Sequence, residues 1–129
     1  MFDHLGFAVS DLPRSREFYQ RALAPLGYGL VMSLDKEQTG GYEGHAFGPP
    51  DQPVFWIGTG AGVSSGLHVA LRARSREQVD AFHAAAIAAG GRDNGAPGLR
   101  PHYGPDYYGA FALDPDGNNI EAVCRASGD

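Results

Sequence analysis

The chain has 129 residues, with ten Lys or Arg against fifteen Asp or Glu and a formal net charge of −5. That length predicts one domain, residues 1–129, with room for two small repeats. The mildly acidic and interspersed charge lacks the basic stripe of a nucleic-acid binder, and one Trp, six Tyr and seven Phe exceed what a disordered chain carries.

Cys124 is the only cysteine, so no disulfide forms within the chain and a reducing compartment is expected. The opening Met-Phe-Asp-His has neither the basic region nor the apolar run of a signal peptide. No stretch approaches the roughly 20 apolar residues of a bilayer span. The expectation is a soluble cytoplasmic protein with no nucleic-acid or membrane partner.

Residues 2–9 alternate, with Leu5, Phe7 and Val9 on one face and His4, Gly6 and Ala8 on the other, which predicts a strand. Asp11 suits an N-cap and Pro13 a first helical turn. Phe18, Tyr19, Ala22, Leu23 and Leu26 then form an apolar stripe at helical spacing. Pro25 and Gly27 end it. Strands are predicted over 28–34, 42–47 and 53–59, separated by Gly40-Gly41 and Gly48-Pro49-Pro50.

Residues 60–66 are small and uncharged and mark a boundary, after which the pattern restarts. Residues 67–72 alternate, with His68 and Ala70 opposite Leu67, Val69 and Leu71. Ser75 to Gln78 resembles a capping box, followed by Val79, Phe82, Ala86 and Ala89 at helical spacing. Gly90-Gly91 ends this helix. A weak strand is predicted over 92–96 and a loop over 97–106.

The last segment is the most explicit. Residues 107–113 are aromatic and apolar, 120–124 are apolar apart from Glu121, and Asp-Pro-Asp-Gly-Asn-Asn lies between them. Pro115 fixes φ, Gly117 permits φ > 0, and the Asp and Asn side chains bond the local backbone, so a strand–turn–strand hairpin is predicted. By alternation only one of Tyr107 and Tyr108 points to any given face.

Both halves thus read β-α-β-β-β, in modules of about 1–60 and 66–125. They also match locally: each opens on a strand with an early histidine, His4 or His68, and each carries Arg-Ser-Arg-Glu, ending at Glu17 or Glu77, before or within its helix. The fold class is α+β.

His4, His68 and Glu121 share an oddity, since all three are metal-ligand types embedded in apolar strands. A buried carboxylate is costly unless something pairs with it. If each strand packs one face under its helix, the other faces line the concave side of a sheet. There, two imidazoles and a carboxylate form a set with open positions for a divalent metal such as Fe, Mn, Zn, Ni or Co. The plainer reading of each residue alone is an exposed or hydrogen-bonded histidine, and for Glu121 a contact with solvent or Arg125. Glu43 and His45 share a face by alternation, so one of them is a further candidate for the concave side, against the plainer reading of a solvated face.

The sequence resembles the vicinal oxygen chelate superfamily, which includes glyoxalase I, bleomycin- and fosfomycin-resistance proteins, methylmalonyl-CoA epimerase and extradiol dioxygenases. The resemblance covers nearly the whole chain. It rests on His4 with residues 9–12 and Phe18-Tyr19, on His68 at the second module, and on Asp114-Pro-Asp-Gly117 followed by Ile120-Glu121. It implies two tandem βαβββ modules forming a cupped mixed sheet, a divalent metal held by His4, His68 and Glu121, a small-molecule substrate and a homodimer. One departure stands out. Glyoxalase I proper has a fourth ligand, usually glutamate, in the fourth strand of the first module, where this chain has Trp56, and indole cannot ligate. Two histidines and one glutamate instead match the iron-dependent extradiol dioxygenases, which usually have more modules than this chain holds.

The segment from Arg100 to Tyr108 concentrates a cation, an imidazole and three phenols beside the hairpin. Arg100 is a candidate to hold an anionic group and His102 to move a proton. Tyr103, Tyr107, Tyr108 and Trp56 are candidates for the substrate wall, and Glu121 is a second candidate for proton transfer. The plainer readings are a stiffened structural loop or a dimer interface, where Tyr is enriched. The expected function is a metal-dependent enzyme of lyase/isomerase or dioxygenase type acting on a small substrate with vicinal oxygens. The alternative is a metal-free, ligand-sequestering binding protein of the bleomycin-resistance type.

Overall fold

The computed structural model describes residues 1–126. In chain order the elements are β1 (Leu5–Ala8), α1 (Leu12–Leu23), β2 (Gly29–Leu34), α2 (Lys36–Thr39), β3 (Gly44–Gly48), β4 (Phe55–Gly58), β5 (His68–Arg72), α3 (Arg76–Ala88), β6 (Arg92–Leu99), β7 (Tyr108–Leu113) and β8 (Asn119–Cys124). Both modules therefore follow the β-α-β-β-β order read from the sequence, with α2 added to the first.

The strands form two four-stranded mixed sheets, ordered β1-β4-β3-β2 and β5-β8-β7-β6. In each, the module's first strand runs parallel to its last, and the remaining pairs are antiparallel. The repeat thus extends to the topology. No strand of one sheet is laddered to a strand of the other among the described residues.

The modules join through their helices instead. α1 packs on β2, β3 and β4, α3 packs on β6, β7 and β8, and the two helices pack on each other. Phe18, Tyr19, Ala22 and Leu23 of α1 and Val79, Phe82 and Ala86 of α3 are buried in one core with Phe47, Phe55, Ile57, Ala110, Ile120 and Ala122. Apolar residues of β3, β4 and β8 enter this core, and others of β1, β2 and β5 pack into or against it. The other face of each sheet points away from its own helix.

The caps explain where the helices begin. The Asp11 carboxylate accepts from the Arg14 amide at 3.1 Å, and Ser75 Oγ accepts from the Gln78 amide at 3.2 Å. Gln78 reaches back to the Arg74 amide at 2.7 Å, one residue earlier than a standard capping box would place it. The unpredicted α2 has the full box: Asp35 accepts from the Gln38 amide and Gln38 accepts from the Asp35 amide, each at 2.9 Å.

Strand ends also differ from expectation. β1 begins at Leu5, so His4 lies just before it rather than within it. β6 runs to Leu99, past Pro97, through two register shifts. It is an edge strand, where a missing amide donor is tolerated. A short 3-10 turn, Pro101–Tyr103, occupies part of the predicted loop.

The Asp-Pro-Asp-Gly turn is the brace between the modules. Asp114, 5% exposed, accepts from the amides of Asp116 at 2.9 Å and Asn118 at 2.8 Å, and from Asn118 Nδ2 at 3.0 Å. Its Oδ2 also accepts from the Tyr19 hydroxyl of α1 at 2.5 Å. Burial foremost, and then the Asp114 charge, push the Tyr19 pKa well above its ordinary value, so Tyr19 stays a donor. Asp116 accepts from the Ser10 amide at 3.1 Å, just after β1.

Candidate functional site

β8 alternates cleanly. Ile120, Ala122 and Cys124 enter the core, which turns Glu121 to the free face of the second sheet. β5 lies parallel beside it, with His68 opposite Asn119 and Ala70 opposite Glu121. Register and alternation therefore bring His68 and Glu121 to one face. Asn118 fixes the start of both strands: its Oδ1 accepts from the Leu67 amide and its Nδ2 donates to Ser64 O, each at 3.0 Å.

Glu121 is 1% exposed. Its Oε1 lies 2.9 Å from His68 Nε2, and its Oε2 accepts from the Tyr107 hydroxyl. The His68 ring is half open to solvent. Thus the costly acid of the sequence is satisfied on both oxygens, one by an imidazole at the surface and one by a buried phenol. Burial, then the bond to Glu121, raise the Tyr107 pKa to about 12, so the phenol remains protonated at neutral pH. Gly109 makes room for this pair, because a Cβ there would sit 3.2 Å from both Glu121 Oε2 and the Tyr107 ring.

A pocket of about 360 Å³ opens onto this pair, lined by His68, Tyr103, Tyr107, Phe111, Glu121 and Arg125. The Arg125 guanidinium stacks 4.8 Å above the Tyr107 ring, and Tyr103 packs beside it with ring centroids 5.1 Å apart.

The first sheet carries a second, separate pocket on its own free face, lined by His4, Gly6, Leu34, Tyr42 and Trp56. Gly6 and Trp56 are register partners on β1 and β4. Tyr42 lies flat over Gly44 and Gly58, where any Cβ would collide with its ring. His4 is 57% exposed at its side chain, and its Nδ1 donates to Asp3 at 2.7 Å.

The three metal-ligand candidates are therefore split: His68 and Glu121 are in contact, and His4 and Trp56 stand on the other sheet. Among the described residues no three His, Cys, Asp or Glu side chains are grouped closely enough to hold a metal ion. Of the two neighbouring tyrosines, Tyr107 faces the pocket. Tyr108 points to the helix side, donating to Asp80 of α3 at 2.6 Å beneath Arg76.

Arg100 lies over the Phe111 ring at 5.4 Å, but its guanidinium donates to Gly98 O at 2.9 Å and Ala96 O at 2.8 Å. It closes the end of β6. His102 is exposed and stacks on Tyr103 at 4.1 Å, outside the pocket lining. His45 faces the helix side, where its Nδ1 lies 2.8 Å from Ser33 Oγ. Burial, and then Arg16, lower its pKa. Glu43 bonds Thr59 through its backbone.

Phe111, Tyr42 and Leu34 were not singled out from the sequence, and Arg125 was named only as a plain contact for Glu121, whereas it stacks on Tyr107. Phe111 had a readable signal, since it follows Tyr107 at an even spacing and pairs directly with Glu121. The others reach their pockets through tertiary placement.

The sequence model of the family described as Glyoxalase/Bleomycin resistance protein/Dioxygenase superfamily matches residues 1–122. Among solved structures, a glyoxalase/bleomycin resistance protein from Albidiferax ferrireducens T118 is 34% identical, with a TM-score of 0.76 over 98% of this chain and 99% of that one. A point variant of glyoxalase I from Zea mays is 25% identical, with a TM-score of 0.71 over 95% of this chain and 45% of that one. The chain thus spans under half the length of the maize protein. No match is found among the curated proteins. No helix among the described residues is long and apolar enough to cross a membrane.

Proposed function

Because the chain belongs to the Glyoxalase/Bleomycin resistance protein/Dioxygenase superfamily, we propose that it is a metal-dependent enzyme acting on a small substrate with vicinal oxygens, at a site completed by a second copy of the chain. One observation carries this reading. His68 and Glu121 converge with 2.9 Å between Nε2 and Oε1 on an open face, whereas the remaining candidate ligand, His4, lines a different pocket on the other sheet.

The donor set fits a divalent metal in part. Imidazole nitrogen and carboxylate oxygen suit Fe, Mn, Zn, Ni or Co, and two of them are preassembled here. In a homodimer the free face of one copy's first sheet would meet the free face of the other's second sheet. His4 would then join His68 and Glu121, and the aromatic linings of the two pockets would enclose one site. A metal bound there supplies Lewis acidity toward two adjacent substrate oxygens.

The chain's own residues do the rest. The aromatic walls bury the organic part of the substrate and exclude water. In a lyase/isomerase-type step Glu121 would accept the substrate proton at Oε1 only while that oxygen is not held by the metal, since Tyr107 occupies Oε2. Tyr107, its phenol proton retained, stays bonded to the other oxygen.

Metal analysis of protein purified without chelator tests the reading. Near-stoichiometric metal in the wild type, lost in each of His4→Ala, His68→Ala and Glu121→Ala, is expected. A wild type that holds no metal and gains no thermal stability from Fe, Mn, Zn, Ni or Co rules the proposal out. That outcome would favour a metal-free binding protein, for which the Trp56 and Tyr42 walls are suited.

A further inference from the structure

We infer that Tyr107 is a positioning residue for Glu121: its hydroxyl engages Oε2 and thereby leaves Oε1 as the oxygen offered toward His68 and a metal. This inference rests on the metal-dependent reading above, and it adds a residue that does not itself touch the metal.

The geometry is specific. Glu121 is enclosed, and its two oxygens have one partner each, His68 for Oε1 and Tyr107 for Oε2. The two partners come from different segments, one on β5 and one just before β7, so the carboxyl plane is fixed from two sides. Tyr107 is itself fixed. Arg125 stacks on its ring at 4.8 Å, and Tyr103 packs against it. Its amide donates to Gly104 O at 3.3 Å, and its carbonyl accepts from the Arg100 amide at 2.7 Å. This last bond gives Arg100 a role through the backbone: it holds the strand end that carries Tyr107.

Gly109 belongs to the same device. Among the glycines of the described residues it is the one where a Cβ would touch both members of the bonded pair. The bare backbone there lets the carboxylate and the phenol meet over the strand. Removing the hydroxyl would free Oε2 to turn toward the opening, changing which oxygens a metal meets without changing the ligand residues.

Cobalt(II) is the probe, because its visible absorption reports coordination directly. In the full chain loaded with Co(II), Tyr107→Phe keeps the ring between Arg125 and Tyr103 but loses the hydroxyl. The expected result is shifted visible bands and Co(II) affinity weakened about 10- to 100-fold, the range for outer-shell partners of metal ligands. Gly109→Ala keeps the phenol and crowds the same oxygen, so it should shift the bands in its own right. It also carries the test if the Tyr107→Phe chain does not fold. A merely structural role for Tyr107 would lower the melting midpoint of the metal-free protein yet leave the spectrum per bound ion unchanged. That result, with wild-type protein binding Co(II) normally, overturns the inference alone. A wild type that binds neither Co(II) nor any of Fe, Mn, Zn and Ni overturns the metal reading and this inference with it.

Discussion

Asp114 and Glu121 are two buried carboxylates on one hairpin, and their surroundings give them different work. Asp114 is consumed by donors: two backbone amides, the Asn118 side chain and the Tyr19 hydroxyl. It lines neither of the two pockets described above. Glu121 keeps one oxygen on a half-open imidazole. Replacing Asp114 with Ala strands several buried donors, each costing about 1–3 kcal/mol. A loss of at least about 3 kcal/mol in denaturant unfolding is expected. A loss under about 1 kcal/mol would show that the turn is not the brace described above. In the segment before β7, parity says that Tyr107 and not Tyr108 shares a face with Phe111, but not that this face meets Glu121. Arg100 and His102 are not legible even so far, because a turn follows no period.

At the scale of elements, the repeat was legible because each module restates the same local physics: an alternating strand, a capped helix, glycines at its end. The Asp11 cap was readable from Asp followed by Pro13, and its carboxylate does bond the Arg14 amide. Asp11→Ala should lower stability by about 1 kcal/mol in chemical denaturation while leaving metal content unaltered, since α1 lies on the core side of its sheet. α2 was missed although Asp35 and Gln38 spell a capping box, because a four-residue helix offers no apolar period to notice. β6 was read short because Gly95 and Pro97 signal a break. They mark instead the irregular edge of a sheet, where neighbours on one side only must be satisfied.

At the scale of the whole molecule, the helices that join the modules keep the two free faces apart. Each face presents an incomplete set of donors and aromatic walls, and exposed apolar side chains such as Leu99 and Tyr103 lie on the second module. A site shared between copies makes a mixing prediction. His4→Ala and Glu121→Ala proteins should each lack bound metal. Unfolded together and refolded, they should form heterodimers in which one site is intact and the other carries both lesions. Recovery of metal in the mixed species, with dimers seen by sedimentation, is the expected outcome. No recovery despite heterodimer formation would mean that each site is built within one chain.

The sequence by itself determined the module order and which residues of an alternating strand share a face. These follow from local rules: alternation, capping and turn chemistry act over a few residues and leave their marks in order. The tertiary structure alone decided that β5 lies beside β8 and so brings His68 to Glu121, that Tyr107 and not Tyr108 meets Glu121, that Arg100 closes a strand end, and that His4 stands apart from the other two candidates. The first three depend on how strands distant in sequence pair within the second module, and the last on how two finished modules dock. Docking is set by the apolar faces of α1 and α3 packing into one core, and no spacing along the chain records it.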